Sequence, residues 1–154
     1  MNLVDELHAI VAALGAARIE YAVCGGVAVT VHGATRTTKD IDLLIRPDDV
    51  ARALQALRPL GYDFAALPMV FEENTERERR VQRVTKLEGG HALVIDLLFA
   101  HASFAGFLDD RVAVELPRGT LFVVSRETLL RMKRLAGRAQ DQADIEKLES
   151  VDEG

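Results

Sequence analysis

The tightest constraint on this 154-residue chain lies between residues 21 and 45. Tyr21-Ala-Val-Cys24 is a short apolar run with strand character, Gly25-Gly26 interrupts it, and the apolar stretch from Val27 to His32 is compatible with a helix. The expectation is a strand, a glycine turn and a helix start. Glycines at such a corner let the backbone approach a ligand closely, and the free N–H groups of a helix start favour an anion such as phosphate. The same two glycines also suit a plain tight turn. Further on, Asp40-Ile-Asp42-Leu-Leu-Ile45 reads as a second strand, whose alternation puts both carboxylates on one face about 6.5 Å apart along the chain.

A half-exposed strand with polar residues turned to water is one explanation of Asp40 and Asp42. Against it, Asp is depleted in strands, Leu44 shares their face, and the pair follows a glycine turn and the polar loop Thr35-Arg36-Thr37-Thr38-Lys39. Two carboxylates held against apolar neighbours cost several kcal/mol unless a cation compensates them. Mg²⁺ fits, because it takes one or two carboxylates and completes its shell with water and substrate phosphates. A glycine turn for phosphates and a carboxylate pair for metal together point to a triphosphate.

These residues resemble a known family. Gly25-Gly26, thirteen intervening residues and then Asp40-Ile41-Asp42-Leu43 look like the signature of the DNA-polymerase-beta-like nucleotidyltransferase superfamily. The run Arg36-Thr-Thr38-Lys-Asp40-Ile-Asp42 is most similar to a small bacterial branch that includes the abortive-infection nucleotidyltransferase toxins. The resemblance implies an α/β (α+β) fold, a mixed β-sheet flanked by helices, here with C-terminal helices. It also implies a third carboxylate on a nearby strand, matched by Asp96 in Ala92-Leu-Val-Ile-Asp96-Leu-Leu-Phe99.

The activity so implied is transfer of an NMP group from a nucleoside triphosphate to an acceptor hydroxyl, dependent on Mg²⁺ or Mn²⁺. Two cations about 3.5–4 Å apart would stabilise the attacking and leaving oxygens. Asp40 and Asp42 would be shared metal ligands, and Asp96 would hold the catalytic metal and help deprotonate the acceptor. Gly25 and Gly26 would hold the β and γ phosphates, with Arg36 a phosphate or acceptor contact. In the C-terminal run Lys133-Arg134-Leu-Ala-Gly137-Arg138-Ala-Gln-Asp141, the toxin-like branch implies that Lys133 meets the phosphates and that Asp141 orients Lys133 or Arg138; solvated basic residues are the alternative. The acceptor is left open between a transfer RNA end, a protein hydroxyl and a small molecule. A toxin with a cognate partner, an antitoxin-type enzyme that adenylylates its partner, and a nucleotide-binding module without turnover are also left open.

Other chemistries find no support. There is no P-loop, no nucleophile elbow and no third glycine of a dinucleotide fingerprint, and the four histidines and one cysteine lack zinc-ligand spacing. The length suits one domain spanning 1–154, and 28% charged with 49% hydrophobic residues is ordinary for a globular protein. A net charge of −5 argues against indiscriminate nucleic-acid binding but permits local basic patches. With Cys24 alone no intramolecular disulfide forms, no apolar run reaches membrane-spanning length, and the first residues are acidic where a signal peptide would be basic; a cytoplasmic protein is expected.

Along the remaining chain, Leu3, Leu7, Ile10, Val11 and Leu14 mark a first helix stopped by Gly15, with His8 on its outer side. Pro47 opens a helix with Val50, Leu54 and Leu57 buried, a crossover back to the sheet. Residues 62–70 are ambiguous between strand and loop, and Glu72 to Arg80 is a solvated edge or, with Arg83 and Lys86, a basic ridge for RNA or nucleotide phosphates. Around Glu88-Gly89-Gly90, Val81–Leu87 and Ala92–Phe99 should form an antiparallel hairpin. A second hairpin is expected around Pro117-Arg-Gly119. Ser125 should cap a helix that Gly137 ends, and Asp141 should open a last one.

Overall fold

The computed structural model describes residues 2–153. In chain order these form α1 (Leu3–Ala16), β1 (Tyr21–Cys24), α2 (Gly25–Val31), β2 (Ile41–Ile45), α3 (Val50–Leu57), β3 (Tyr62–Ala65), β4 (Met69–Phe71), β5 (Arg79–Glu88), β6 (His91–Phe99), β7 (Val112–Leu116), β8 (Gly119–Val123), α4 (Arg126–Ala136) and α5 (Ala139–Glu153). The strands make one mixed sheet in the order β3-β5-β6-β2-β1-β8-β7, and β4 pairs with β5. Pairing is parallel for β2 with β6 and for β1 with β8, and antiparallel elsewhere. The expected class, a mixed sheet flanked by helices, is the one observed.

β2 lies at the middle of the sheet, and Ile41, Leu43, Leu44 and Ile45 are fully buried in it. A strand covered on both faces needs apolar residues on both, so Asp42 is the exception that requires a reason. The connection from β2 runs through a short 3-10 turn at Pro47–Asp49 and α3 to β3, which points the same way as β2; this is the expected crossover. Around the sheet, Leu7, Ile10, Val11 and Leu14 of α1 pack into a core shared with Leu129, Met132, Ile145 and Leu148 of α4 and α5.

Both predicted hairpins form, with Glu88 opposite His91 in the first and Leu116 opposite Gly119 in the second. The ambiguous stretch holds two short strands on β5. Ser125 caps α4 by accepting from the Thr128 N–H at 3.0 Å, and Gly137 ends that helix in the left-handed conformation at φ 64°.

Local boundaries differ in several places, and Asp40, read with Asp42 as part of one strand, lies just outside β2, so strand alternation does not set its face. α1 runs through Gly15 to Ala16, where helical geometry meets no obstruction. α2 starts at Gly25 itself, with no separate turn, because the extended Cys24 passes directly into a glycine that accepts φ 64°. β5 begins at Arg79, since β4 extends the pairing to Arg79 opposite Phe71. α5 begins two residues before Asp141, whose carboxylate reaches back to the Arg138 N–H at 3.1 Å and closes the first turn.

Candidate active site

Strand register assembles the site. Cys24 at the end of β1 pairs with Asp42, parallel pairing sets Asp42 beside Asp96, and the first hairpin sets Asp96 beside Arg83. Four residues therefore stand in one row across four strands, and a cavity of about 370 Å³ lies over that row. Such a volume suits a small ligand. Asp40, just ahead of β2, lines the same cavity from an exposed position.

Gly25 makes the row possible. A side chain there would overlap the carboxylate of Asp42, and its φ of +64° is one that other residues avoid. Burial pushes the Asp42 carboxyl up to about 7, Asp96 and Asp40 push in the same direction, and the positive charges of Lys133 and Arg138 only partly oppose them. Across the row, Arg83 donates to both oxygens of Asp96, at 2.8 and 3.0 Å.

The second half of the site comes from α4 and α5. Lys133 lies on the buried side of α4, 6% exposed, with its Nζ 3.2 Å from Asp141 and 3.0 Å from Asp144. Arg138 pairs with the other oxygen of Asp141 at 2.7 Å. Asp144, fully buried, also takes the Arg36 Nε at 3.1 Å. Three cations thus converge on two buried carboxylates. For both carboxyls burial works upward, but these hydrogen bonds and charges outweigh it and hold them below the usual carboxylate range.

All nine predicted site residues, Gly25, Gly26, Arg36, Asp40, Asp42, Asp96, Lys133, Arg138 and Asp141, line this cavity. The surroundings of Gly26 are close: a Cβ there would meet Thr38 Oγ1 at 2.9 Å and Arg36 Nη1 at 3.0 Å, because the 36–38 loop packs over the glycine. The basic run from Arg77 to Lys86 makes no continuous ridge. Strand alternation turns Arg79 and Arg83 into the cavity and places Arg80 and Lys86 on the opposite side, paired with Glu78 and Glu6.

Asp144 escaped the sequence reading, and Arg79 and Arg83 were read only as members of a basic ridge, not as walls of this cavity. Asp144 follows Asp141 by three positions and so shares its helix face. The two-residue Gly89-Gly90 turn fixes a register in which Arg83 stands opposite Asp96, so that pair was there to be read.

The donor set fits a divalent cation. Asp42 is a half-buried carboxylate short of positive charge, and Asp40 and Asp96 open into the same cavity. Among the described residues, no three His, Cys, Asp or Glu side chains form a ready cage. What remains is an open arrangement of hard oxygen donors, the kind that Mg²⁺ completes with water and phosphate.

With this geometry in place, comparison with known proteins is decisive at the family level. A family of nucleotidyltransferases, described as uncharacterised, matches residues 1–133. The chain belongs to that family. The match leaves out α5, and with it Asp141 and Asp144. Among solved structures, this nucleotidyltransferase resembles the lincosamide antibiotic adenylyltransferase LnuA with lincomycin bound, at 20% identity and a TM-score of 0.61 over 96% of each chain. It also resembles an antigenic nucleotidyltransferase-like protein from Paracoccidioides brasiliensis, at 20% identity and a TM-score of 0.60 over 96% of this chain and 77% of that one. A third likeness is to ANT(2'')-Ia in complex with adenylyl-2''-tobramycin, at 16% identity and a TM-score of 0.59 over 98% and 89% of the two chains. A comparison with curated proteins finds no match. At these identities the structures establish the shared fold.

Proposed function

We infer that this nucleotidyltransferase moves an NMP group from a nucleoside triphosphate to a hydroxyl of a small molecule. The observation that carries this reading is the row of Asp42, Asp96 and Arg83, with Lys133 and Arg138 on one side of a cavity too small for a macromolecule to fill. Asp40, Asp42 and Asp96 are the residues that would hold Mg²⁺ or Mn²⁺, which when bound supplies charge neutralisation for the phosphates and a more acidic acceptor hydroxyl.

The remaining work falls to the chain itself. Lys133 and Arg138 bind phosphate oxygens, held in place by Asp141 and Asp144, while Arg36 is fixed near the Gly26 corner by Asp144. The attacking hydroxyl would give its proton to Asp96 as its oxygen bonds the α-phosphorus and pyrophosphate leaves, and one of the two hydrogen bonds from Arg83 to Asp96 would open to admit that proton. The names of LnuA and ANT(2'')-Ia, an antibiotic adenylyltransferase and a protein solved with an adenylylated antibiotic, favour a small-molecule acceptor. The toxin-like reading keeps the same chemistry with a transfer RNA end or a partner-protein hydroxyl as acceptor.

The test is incubation with each α-labelled nucleoside triphosphate, Mg²⁺, and either a low-molecular-mass extract, total RNA or cellular protein. Label in the small-molecule fraction supports the proposal. Label only in RNA or protein supports the toxin or antitoxin reading, and nucleotide binding without any labelled product supports a module without turnover.

A further inference from the structure

We propose that the acceptor recognised by this site carries an apolar, ring-sized body and an anionic group, and that Arg79 and Arg83 of β5 select it. The proposal rests on the nucleotidyl-transfer reading above, which divides the cavity. Lys133 and Arg138 mark one end of the carboxylate row, where phosphates would lie. In-line displacement puts the attacking hydroxyl on the side away from the leaving group. The acceptor therefore enters over β5 and β4.

Over β4, β5 and β6 the cavity lining includes Met69, Phe71, Val81 and Leu98 together with the two arginines, and Phe104 joins it. The aliphatic and aromatic side chains suit a ring, and Phe71 is an exposed large apolar residue at the rim. Arg79 lies over the Phe71 ring, 5.4 Å from its centroid, and its side chain is only 16% exposed. Among the described residues its Nε makes no hydrogen bond and its carboxylate contact is Glu72 at 3.4 Å. A guanidinium so weakly partnered favours an incoming carboxylate or phosphate oxygen at its cavity-facing edge. Arg83 gives Nε and Nη2 to Asp96, and among the described residues its Nη1 donates to no protein group.

Two guanidinium groups lining a half-open cavity, Arg83 paired with Asp96 and Arg79 only loosely with Glu72, favour an anion over an ammonium group. A small anion fits better than a polyanion. Arg80 and Lys86 on the other side of β5 are taken by Glu78 and Glu6, so no basic track continues from the cavity, and the net charge is −5.

Binding of 4-(hydroxymethyl)benzoate, 4-(hydroxymethyl)benzylamine and 4-methylbenzyl alcohol to the whole protein, measured by calorimetry with and without Mg²⁺ and an α,β-methylene triphosphate, tests this directly. The carboxylate is expected to bind at least ten-fold more tightly than the amine, with the neutral alcohol between them. Arg79→Gln should remove most of that preference, Arg79→Lys should keep part of it, and nucleotide affinity should change little in either. Arg83→Gln gives a second reading of the same preference should Arg79→Gln fail to fold. Equal or tighter binding of the amine overturns the inference, as does absence of binding by all three probes. An unchanged preference in both glutamine variants also overturns it, and so does Arg79-dependent binding of transfer RNA tighter than that of the benzoate. Loss of nucleotide binding alone would overturn the transfer reading, whereas the charge preference, also read without nucleotide, decides this one.

Discussion

Gly25 and Gly15 show how differently one residue type can be used. Gly25 combines a left-handed φ with a Cβ position inside the Asp42 carboxylate, whereas nothing lies within 4 Å of a Cβ at Gly15. Gly25→Ala should therefore cost more than the roughly 1–2 kcal/mol of the backbone conformation alone, and Gly15→Ala should gain about 0.5–1 kcal/mol by limiting the unfolded chain. Urea midpoints of the two variants check both signs. At Asp42, burial and two neighbouring carboxylates oppose the charge that the chemistry uses. Asp42→Asn is expected to slow transfer at least a hundred-fold, about 2.7 kcal/mol of barrier, yet to raise the melting temperature of the metal-free protein. A fall in both would mean that the carboxylate holds the fold together.

At the scale of elements, α4 and α5 are joined by charge at their touching faces. Lys133→Ala should raise KM for the triphosphate and lower kcat, while Arg131→Ala, which removes a side chain stacked on Phe107, should change neither much; steady-state kinetics separates them. Asp144→Ala leaves Lys133 with half of its buried partners and should cost about 3–5 kcal/mol, the usual loss on breaking a buried ion pair. Because Asp141 and Asp144 titrate below the ordinary value, their stabilisation is complete above the unfolded carboxylate pKa of about 3.9 and is lost as pH falls through their folded-state values. Acid unfolding should thus steepen below about pH 4, and Asp144→Asn should flatten that limb in a pH series of denaturant melts. The sequence left Lys133 open between a phosphate contact and a solvated base, and its burial was not legible because a lysine enters a core only when partners from another element neutralise it. Those partners belong to α5, and one helix's pattern does not report them.

For the molecule as a whole, most of the sheet was legible because its strands carry strong local signals: the Gly89-Gly90 turn, the apolar block of β2 and the apolar run around Asp96 in β6. Strand order was not readable from local pattern alone, since the parallel pairings of β2 with β6 and β1 with β8 depend on crossovers whose ends are far apart in the chain. Asp42 and Asp96 were read as neighbours from a family likeness, and the register of β2 with β6 is the physical reason that they are. Binding that draws on both halves of the site should also tighten the molecule. Mg²⁺ with a nucleoside triphosphate at about a hundred times its dissociation constant adds roughly 2.7 kcal/mol, or about 5–10 °C in melting temperature for a chain of this size, and thermal shift measurements with and without each component check it. No shift would count against nucleotide binding.

The bridge from Arg36 to Asp144 spans 108 positions, and Lys133 meets its two carboxylates only after α5 has followed it. Synthesis runs from the N-terminal end. While the chain emerges, the carboxylate row of β2 and β6 can assemble first, and Lys133 appears before either acid that neutralises it. The half proposed to face the phosphates is therefore the later one to form, and a growing chain would hold an incomplete site until α5 docks.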